Sequence, residues 1–319
     1  MSNFSVTNRT NEEQKKITEF LIIGVPVTTL ILNVPAIVMI FWIIVRKEKV
    51  NNFHLLSIGI TDALVGISAY LMAETYLYTD EIFSYYGCWT RYYMYCISLI
   101  ASMLHLLGIC AQRLKMVLRK TAVQTPQDHR NFAWVVILSS WTLSLIINSI
   151  PFIIWTTRHD LTICSLETLF SGYERMLFFY IGTVFGTITL LVLITMSILS
   201  RLLWLLGERH PTNAWGNKDR RLFVTVCIMA VLFFVTTSPI ACVLLSYDFL
   251  GDNRRSQRSV CVLIALLNSA INPIVYLYRV QEFRNILRKI VFCGKFSNTV
   301  NHQSRVNRIK APNLASSPL

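Results

Sequence analysis

Asn272-Pro273-Ile274-Val275-Tyr276 sits inside the last long apolar run of the chain, about 259–278, and Phe283-Arg284 follows after six intervening residues. A proline within a helix removes one backbone hydrogen bond and kinks the axis. In lipid that break is tolerated only where neighbouring groups satisfy the freed carbonyl. The stretch therefore predicts a spanning helix with polar company at membrane depth. Beyond it, 280–292 reads as an amphipathic helix lying in the interface. Phe283, Ile286, Leu287, Ile290 and Val291 fall on one side, and Arg284, Arg288 and Lys289 on the other.

Working back toward the N-terminus, six further apolar runs appear at about 17–45, 53–78, 88–118, 132–155, 173–206 and 221–247. Each reaches the roughly 20 residues needed to cross a hydrocarbon core of about 30 Å. The second and third are the least pure, carrying Asp62, Glu74, Arg91 and His105. The chain is 54% hydrophobic and 15% charged, too little charge to cover a soluble protein of this length. No run alternates as a barrel strand would. The expected fold is all-α: a seven-transmembrane-helix bundle with a short membrane-lying eighth helix. Its divisions are a tail 1–16, a bundle with interfacial helix 17–292, and a tail 293–319. No internal repeat of 20–50 residues is present, and the connections are short.

The net charge of +13 would suit nucleic acid, but its distribution points to a bilayer instead. With the N-terminus outside, 21 of the 30 Lys and Arg fall on inner segments, so the positive-inside rule fixes that orientation. A multi-pass protein of the plasma membrane is expected, with an extracellular N-terminus and no cleavable signal peptide. Asn3-Phe4-Ser5 and Asn8-Arg9-Thr10 are glycosylation sequons in that outer tail. Of the eight cysteines, Cys96, Cys110, Cys227, Cys242 and Cys261 lie at membrane depth, where a thiol is a small packing group. Cys88 and Cys164 fall at outer, oxidising positions, and a disulfide between them would tie the second outer loop to the third span. Cys293, just past the last helix on the inner side, is a candidate for palmitoylation or a free thiol.

The NPxxY-type stretch followed by a short helix carrying Phe resembles the rhodopsin-like (class A) G-protein-coupled receptors. The resemblance covers about 17–293, and its strength is in the spacing. Cys88 opens the third helix and Arg113 follows 25 residues later, where the family places the arginine of its DRY motif. Trp141 with Pro151 matches the fourth helix, Phe233 with Pro239 the sixth, and Asn33 and Asp62 the first and second. The resemblance implies an extracellular ligand, a heterotrimeric G protein as partner, and outward movement of the sixth helix on activation. It implies a coupling apparatus of Arg113, Asp219, Asn272, Pro273 and Tyr276. It also implies that Asp62 faces Ser102, Asn268, Ser269 and Asn272 in a pocket for an allosteric sodium ion. A hard cation takes oxygen ligands and offsets the desolvation of a buried carboxylate. The bland reading of Asp62 is a hydrogen-bonded or protonated acid that holds a polar cluster together.

Departures from the family pattern are concentrated where signalling is controlled. Gln112 and Leu114 flank Arg113 in place of an acid and a tyrosine. Arg113 is then either clamped to Asp219 or an interfacial arginine that snorkels to water. Thr237 stands where the family usually has tryptophan, and the fifth span lacks its proline. These differences imply altered basal activity or lost coupling.

Tyr95 occupies the place of the amine receptors' aspartate, and Leu266 that of the opsins' retinal lysine. The ligand expected is a peptide or small organic molecule, neither an amine nor retinal. Glu74, Arg91, Tyr92, Tyr95 and Thr237 are the candidate ligand-pocket residues; an ordinary interfacial aromatic belt is the competing account of the tyrosines. No metal-ligand or catalytic motif is present, and lone His105 reads as a packed polar residue. Two rivals to a signalling receptor stand: a non-signalling decoy or partner receptor, and a transporter or channel. The latter would show paired broken helices, which the sequence does not.

Overall fold

The computed structural model describes the backbone of residues 2–47, 53–77, 84–118, 126–156, 163–209, 217–246 and 254–279. Side chains are described for 20–45, 53–74, 84–118, 127–128, 130–156, 163–205, 224–246 and 257–275. Within these limits the regular structure is all helix: α1 (Ser2–Lys47), α2 (Phe53–Leu77), α3 (Tyr85–Leu118), α4 (Pro126–Ile154), α5 (Leu166–Leu169), α6 (Glu174–Arg209), α7 (Asn217–Leu245) and α8 (Arg254–Arg279). Seven of them carry spans long and apolar enough to cross a membrane; α5 is the exception. The fifth, sixth and seventh spans are thus α6, α7 and α8. The expected helix at 280–292, Cys293 and the tail 293–319 lie outside the described residues.

Burial in residues 20–275 is arranged for lipid. Large apolar side chains face outward, among them Phe20 at 76% exposure and Ile153 at 74%, while Asp62 and His105 are at 0%. A protein surrounded by water places these groups the other way round. The third span is the most enclosed, with 72% of its apolar window buried against 28% for the first. It packs against α2, α4, α6 and α7, which makes it the central post. Gly108 lets α4 approach closely: a Cβ there would stand 2.1 Å from Cγ1 of Val136. Small residues at such crossings replace the hydrophobic drive that helices lack in lipid.

Prolines punctuate the spans at Pro26 and Pro35 in α1, Pro151 in α4, Pro239 in α7 and Pro273 in α8. Two differences from the sequence reading stand out. Backbone helix begins at Ser2, well before the first apolar run; the run Glu12-Glu13-Gln14-Lys15-Lys16 is made of good helix formers. The segment read as a plain loop between the fourth and fifth spans contains α5. A reciprocal capping box nucleates it, the Ser165 hydroxyl accepting from the Thr168 N–H and the Thr168 hydroxyl from the Ser165 N–H. Gly172, at φ +84°, then turns the chain into α6.

Candidate functional site

Pro273 has no N–H, so the Ser269 carbonyl one turn earlier loses its helical donor. Asn33 supplies the replacement: its Nδ2 donates to the Ser269 carbonyl at 2.9 Å and to the Thr29 carbonyl at 2.9 Å. Asn272, next to the proline, turns its Nδ2 to Oδ2 of Asp62 at 2.8 Å. Oδ1 of Asp62 accepts from the Ser102 hydroxyl at 2.7 Å. Four helices, α1, α2, α3 and α8, are thereby joined through one enclosed polar centre. Asn33, Asp62 and Ser269 are at 0% exposure. Ser269 lies beside Asp62 without completing a hydrogen bond through its hydroxyl. Asn268 is buried as well, but the hydrogen bonds to Asp62 among the described residues come from Ser102 and Asn272. The buried oxygens of Asp62, Ser102 and Ser269, with the orphaned Oδ1 of Asn33, are the donor type that a hard cation takes.

A second network lies between α2, α3 and α4. The Nδ1 of His105 meets the Ala101 carbonyl at 2.6 Å, and its Nε2 meets the Ser57 hydroxyl at 2.7 Å. The carbonyl can only accept, so the proton belongs on Nδ1 and Ser57 donates to Nε2. The Trp141 indole N–H donates to the same Ser57 oxygen at 3.3 Å. His105 is thus the packed polar residue the sequence suggested. Nearby His54 is buried at 3% exposure with neither ring nitrogen hydrogen-bonded.

Arg113 lies toward the end of α3 away from the disulfide, partly buried, and donates to Met116 Sδ at 3.6 Å. Gln112 beside it is buried. The side chains of Asp219 and Tyr276 lie outside the described residues, as do those of Asn3 and Asn8.

At the opposite end, Cys88 and Cys164 form the disulfide, closing a separation of 76 residues. The candidate ligand residues have differing surroundings in the structure. Thr237 is turned inward at 2% exposure, its hydroxyl donating to the Phe233 carbonyl at 2.6 Å and lying 3.4 Å from the Thr189 hydroxyl. Tyr95 is buried within the bundle. Arg91 donates to the Leu71 carbonyl at 3.0 Å and lines a cleft of about 580 Å³ between α2 and α3, walled by Leu64, Ile67 and Met94. Ile67 and Met94 are among the exposed apolar residues, so this cleft opens on the lipid-facing side. Glu74 is partly exposed near the end of α2. Tyr92 lies near the backbone of Leu166, with Glu167 and Arg258 close by.

Two residues the sequence reading passed over complete this end. Arg258 of α8 is ion-paired with Glu167 of α5, and its guanidinium lies 4.5 Å above the Phe178 ring of α6. No local pattern marks them: 91 positions separate the pair.

The sequence matches the family described as 7 transmembrane receptor (rhodopsin family) over residues 32–276. Among curated relatives, it is 30% identical to lysophosphatidic acid receptor 1-A of Xenopus laevis over 63% of this chain and 56% of the relative. It is 25% identical to sphingosine 1-phosphate receptor 4 of Mus musculus over 79% of this chain and 65% of the relative. It is also 25% identical to galanin receptor 2a of Danio rerio, over 82% and 76%. The chain thus covers under two thirds of the length of the first two.

Proposed function

The chain belongs to the rhodopsin family of seven-transmembrane receptors, and on that premise we propose that it transmits binding of an extracellular ligand to a cytoplasmic G protein. The N-terminus is extracellular and the membrane is the plasma membrane in this reading, supported by the charge asymmetry and by the disulfide at the opposite end from Arg113. Ligand binding favours an arrangement in which the inner end of α7 moves outward and opens a crevice beside Arg113.

The observation that carries the reading is the enclosed centre of Asp62, Ser102, Asn272 and Asn33. Buried ionisable groups in a spanning helix are costly, and function is the usual reason they persist. This one couples four helices just above the break at Pro273, where a change at one end can alter packing at the other. The donor set also fits a sodium ion, which would neutralise Asp62 and favour the resting arrangement.

The ligand is a peptide or small organic molecule, neither an amine nor retinal, as Tyr95 and Leu266 argue. Relatives named for two phospholipids and for the peptide galanin are consistent with that range. The sequons at Asn3 and Asn8 and a lipid on Cys293 belong to the same orientation.

A G-protein dissociation assay across the G-protein families, comparing the wild type with Arg113→Ala at matched surface expression, tests the proposal. Activation by the wild type that falls about tenfold in the variant supports it. Normal surface expression with no activation under any condition favours the decoy reading instead.

A further inference from the structure

Segment 165–170 is enclosed to a degree unusual for a connection between spans: Leu169 and Phe170 are both at 0% exposure. Several independent ties hold it. Cys164, immediately before the segment, is bonded to Cys88 of α3. Phe170 meets the Phe152 ring of α4 edge-on at 5.1 Å. Glu167 pairs with Arg258 of α8, and Arg258 in turn covers the Phe178 ring of α6 at 4.5 Å. Tyr92 of α3 lies beside Leu166, Glu167 and Arg258. A six-residue stretch therefore links the third, fourth, fifth and seventh spans at the disulfide end.

We propose that segment 165–170 is a built-in agonist, which occupies the mouth of the bundle and holds it in the signalling arrangement with no added ligand. The inference rests on the receptor reading above and goes beyond it. A ligand shifts a receptor only through contacts that differ between arrangements. The contacts seen here bridge helices, so a movement of α8 against α5 or α6 would break them. The Glu167–Arg258 pair draws α8 toward the loop, and the cation on Phe178 draws α8 toward α6. Both side chains of the pair are largely shielded, at 28% and 17% exposure, so water and salt weaken it less than a surface pair. The disulfide and the short connection to α6 keep the segment at high effective concentration, so modest intrinsic affinity suffices for permanent occupancy.

The test is ligand-free nucleotide exchange by a panel of G proteins on full-length receptor in nanodiscs. It compares the wild type, Arg113→Ala, Glu167→Gln, Phe170→Ala and the reversed pair Glu167→Arg with Arg258→Glu. Glu167→Gln keeps size and shape on a partly exposed side chain, so it folds even if Phe170→Ala does not. The wild type is expected to exceed the Arg113→Ala background, Glu167→Gln to lose about fivefold of that signal, and the reversed pair, which restores the ion pair but not the cation on Phe178, to regain part of it. Wild-type exchange that is unchanged or raised in Glu167→Gln overturns the built-in agonist and leaves the receptor reading standing. A silent wild type with active segment variants does the same. Silence in every variant with every G protein overturns the built-in agonist and leaves the receptor reading, which calls for an added ligand, standing.

Discussion

Asn33 of the first span donates its side-chain amide to the Ser269 carbonyl of the seventh, which is the carbonyl that Pro273 leaves without a helical donor. The kink at Pro273 is thus stabilised through a carbonyl 236 positions away from Asn33. Replacing Asn33 with Ala leaves that carbonyl orphaned and should cost about 0.5–2 kcal/mol, the low end reflecting the small values measured for polar contacts inside membranes. In a Pro273→Ala background the helix regains its own donor, so Asn33→Ala should cost much less. Thermal unfolding of the four detergent-solubilised proteins reads the difference; equal losses in both backgrounds would show that the amide and the proline are unrelated.

Gly108 and Val136 set the distance between the central helix and α4. A methyl group at position 108 meets Cγ1 of Val136 at 2.1 Å, and valine is too stiff to swing away. Gly108→Ala should therefore destabilise the bundle by about 1–3 kcal/mol, the usual cost of overpacking. Val136→Ala in the same chain should recover most of the loss. Thermal midpoints that do not move with Gly108→Ala would contradict the close approach.

Ser57 serves two partners at once, accepting from Trp141 and donating to His105. Ser57→Ala should leave both without that partner and lower stability by about 0.5–2 kcal/mol. Trp141→Phe should then add little on top, because its hydrogen bond is already gone. Additive losses in the double variant would mean the three side chains do not act as one network.

If a sodium ion occupies the site beside Asp62 and favours the resting arrangement, as proposed, sodium should weaken agonist-independent or agonist-driven activation in the wild type. Asp62→Asn removes the charge that holds it, and the salt response of G-protein activation should disappear, with lithium and choline as controls. A response preserved in Asp62→Asn would leave the ion without a site.

What could be read in advance depended on whether a feature is local. Seven spans were legible because an apolar run of sufficient length has few other uses, and Asp62 stood out because a carboxylate in such a run is expensive. Its partners Ser102 and Asn272 followed from the resemblance to the receptor family, and the pairing of Cys88 with Cys164 from their common side of the membrane. Side-chain direction at the disulfide end was not legible. Arg91 belongs to the lipid-facing cleft and Thr237 bonds its own helix, because a rotation of a few tens of degrees decides which face of a span looks inward. Asn268 likewise shares the burial of the centre without bonding Asp62. The Glu167–Arg258 pair joins a loop helix to a distant span, and nothing short-range in the sequence announces either partner.

The central claim is that Asp62 and Asn272, one carboxylate and one amide 2.8 Å apart, couple the second and seventh spans as a complementary pair. Reciprocal exchange tests it most directly. Asn272→Asp alone sets two carboxylates against each other, and Asp62→Asn alone removes the charge; each should reduce G-protein activation by about tenfold at matched surface expression. Asp62→Asn combined with Asn272→Asp restores one acid and one amide in contact and should recover activation to within about threefold of the wild type. A double variant no better than the worse single one, or single variants that signal normally, would contradict the account.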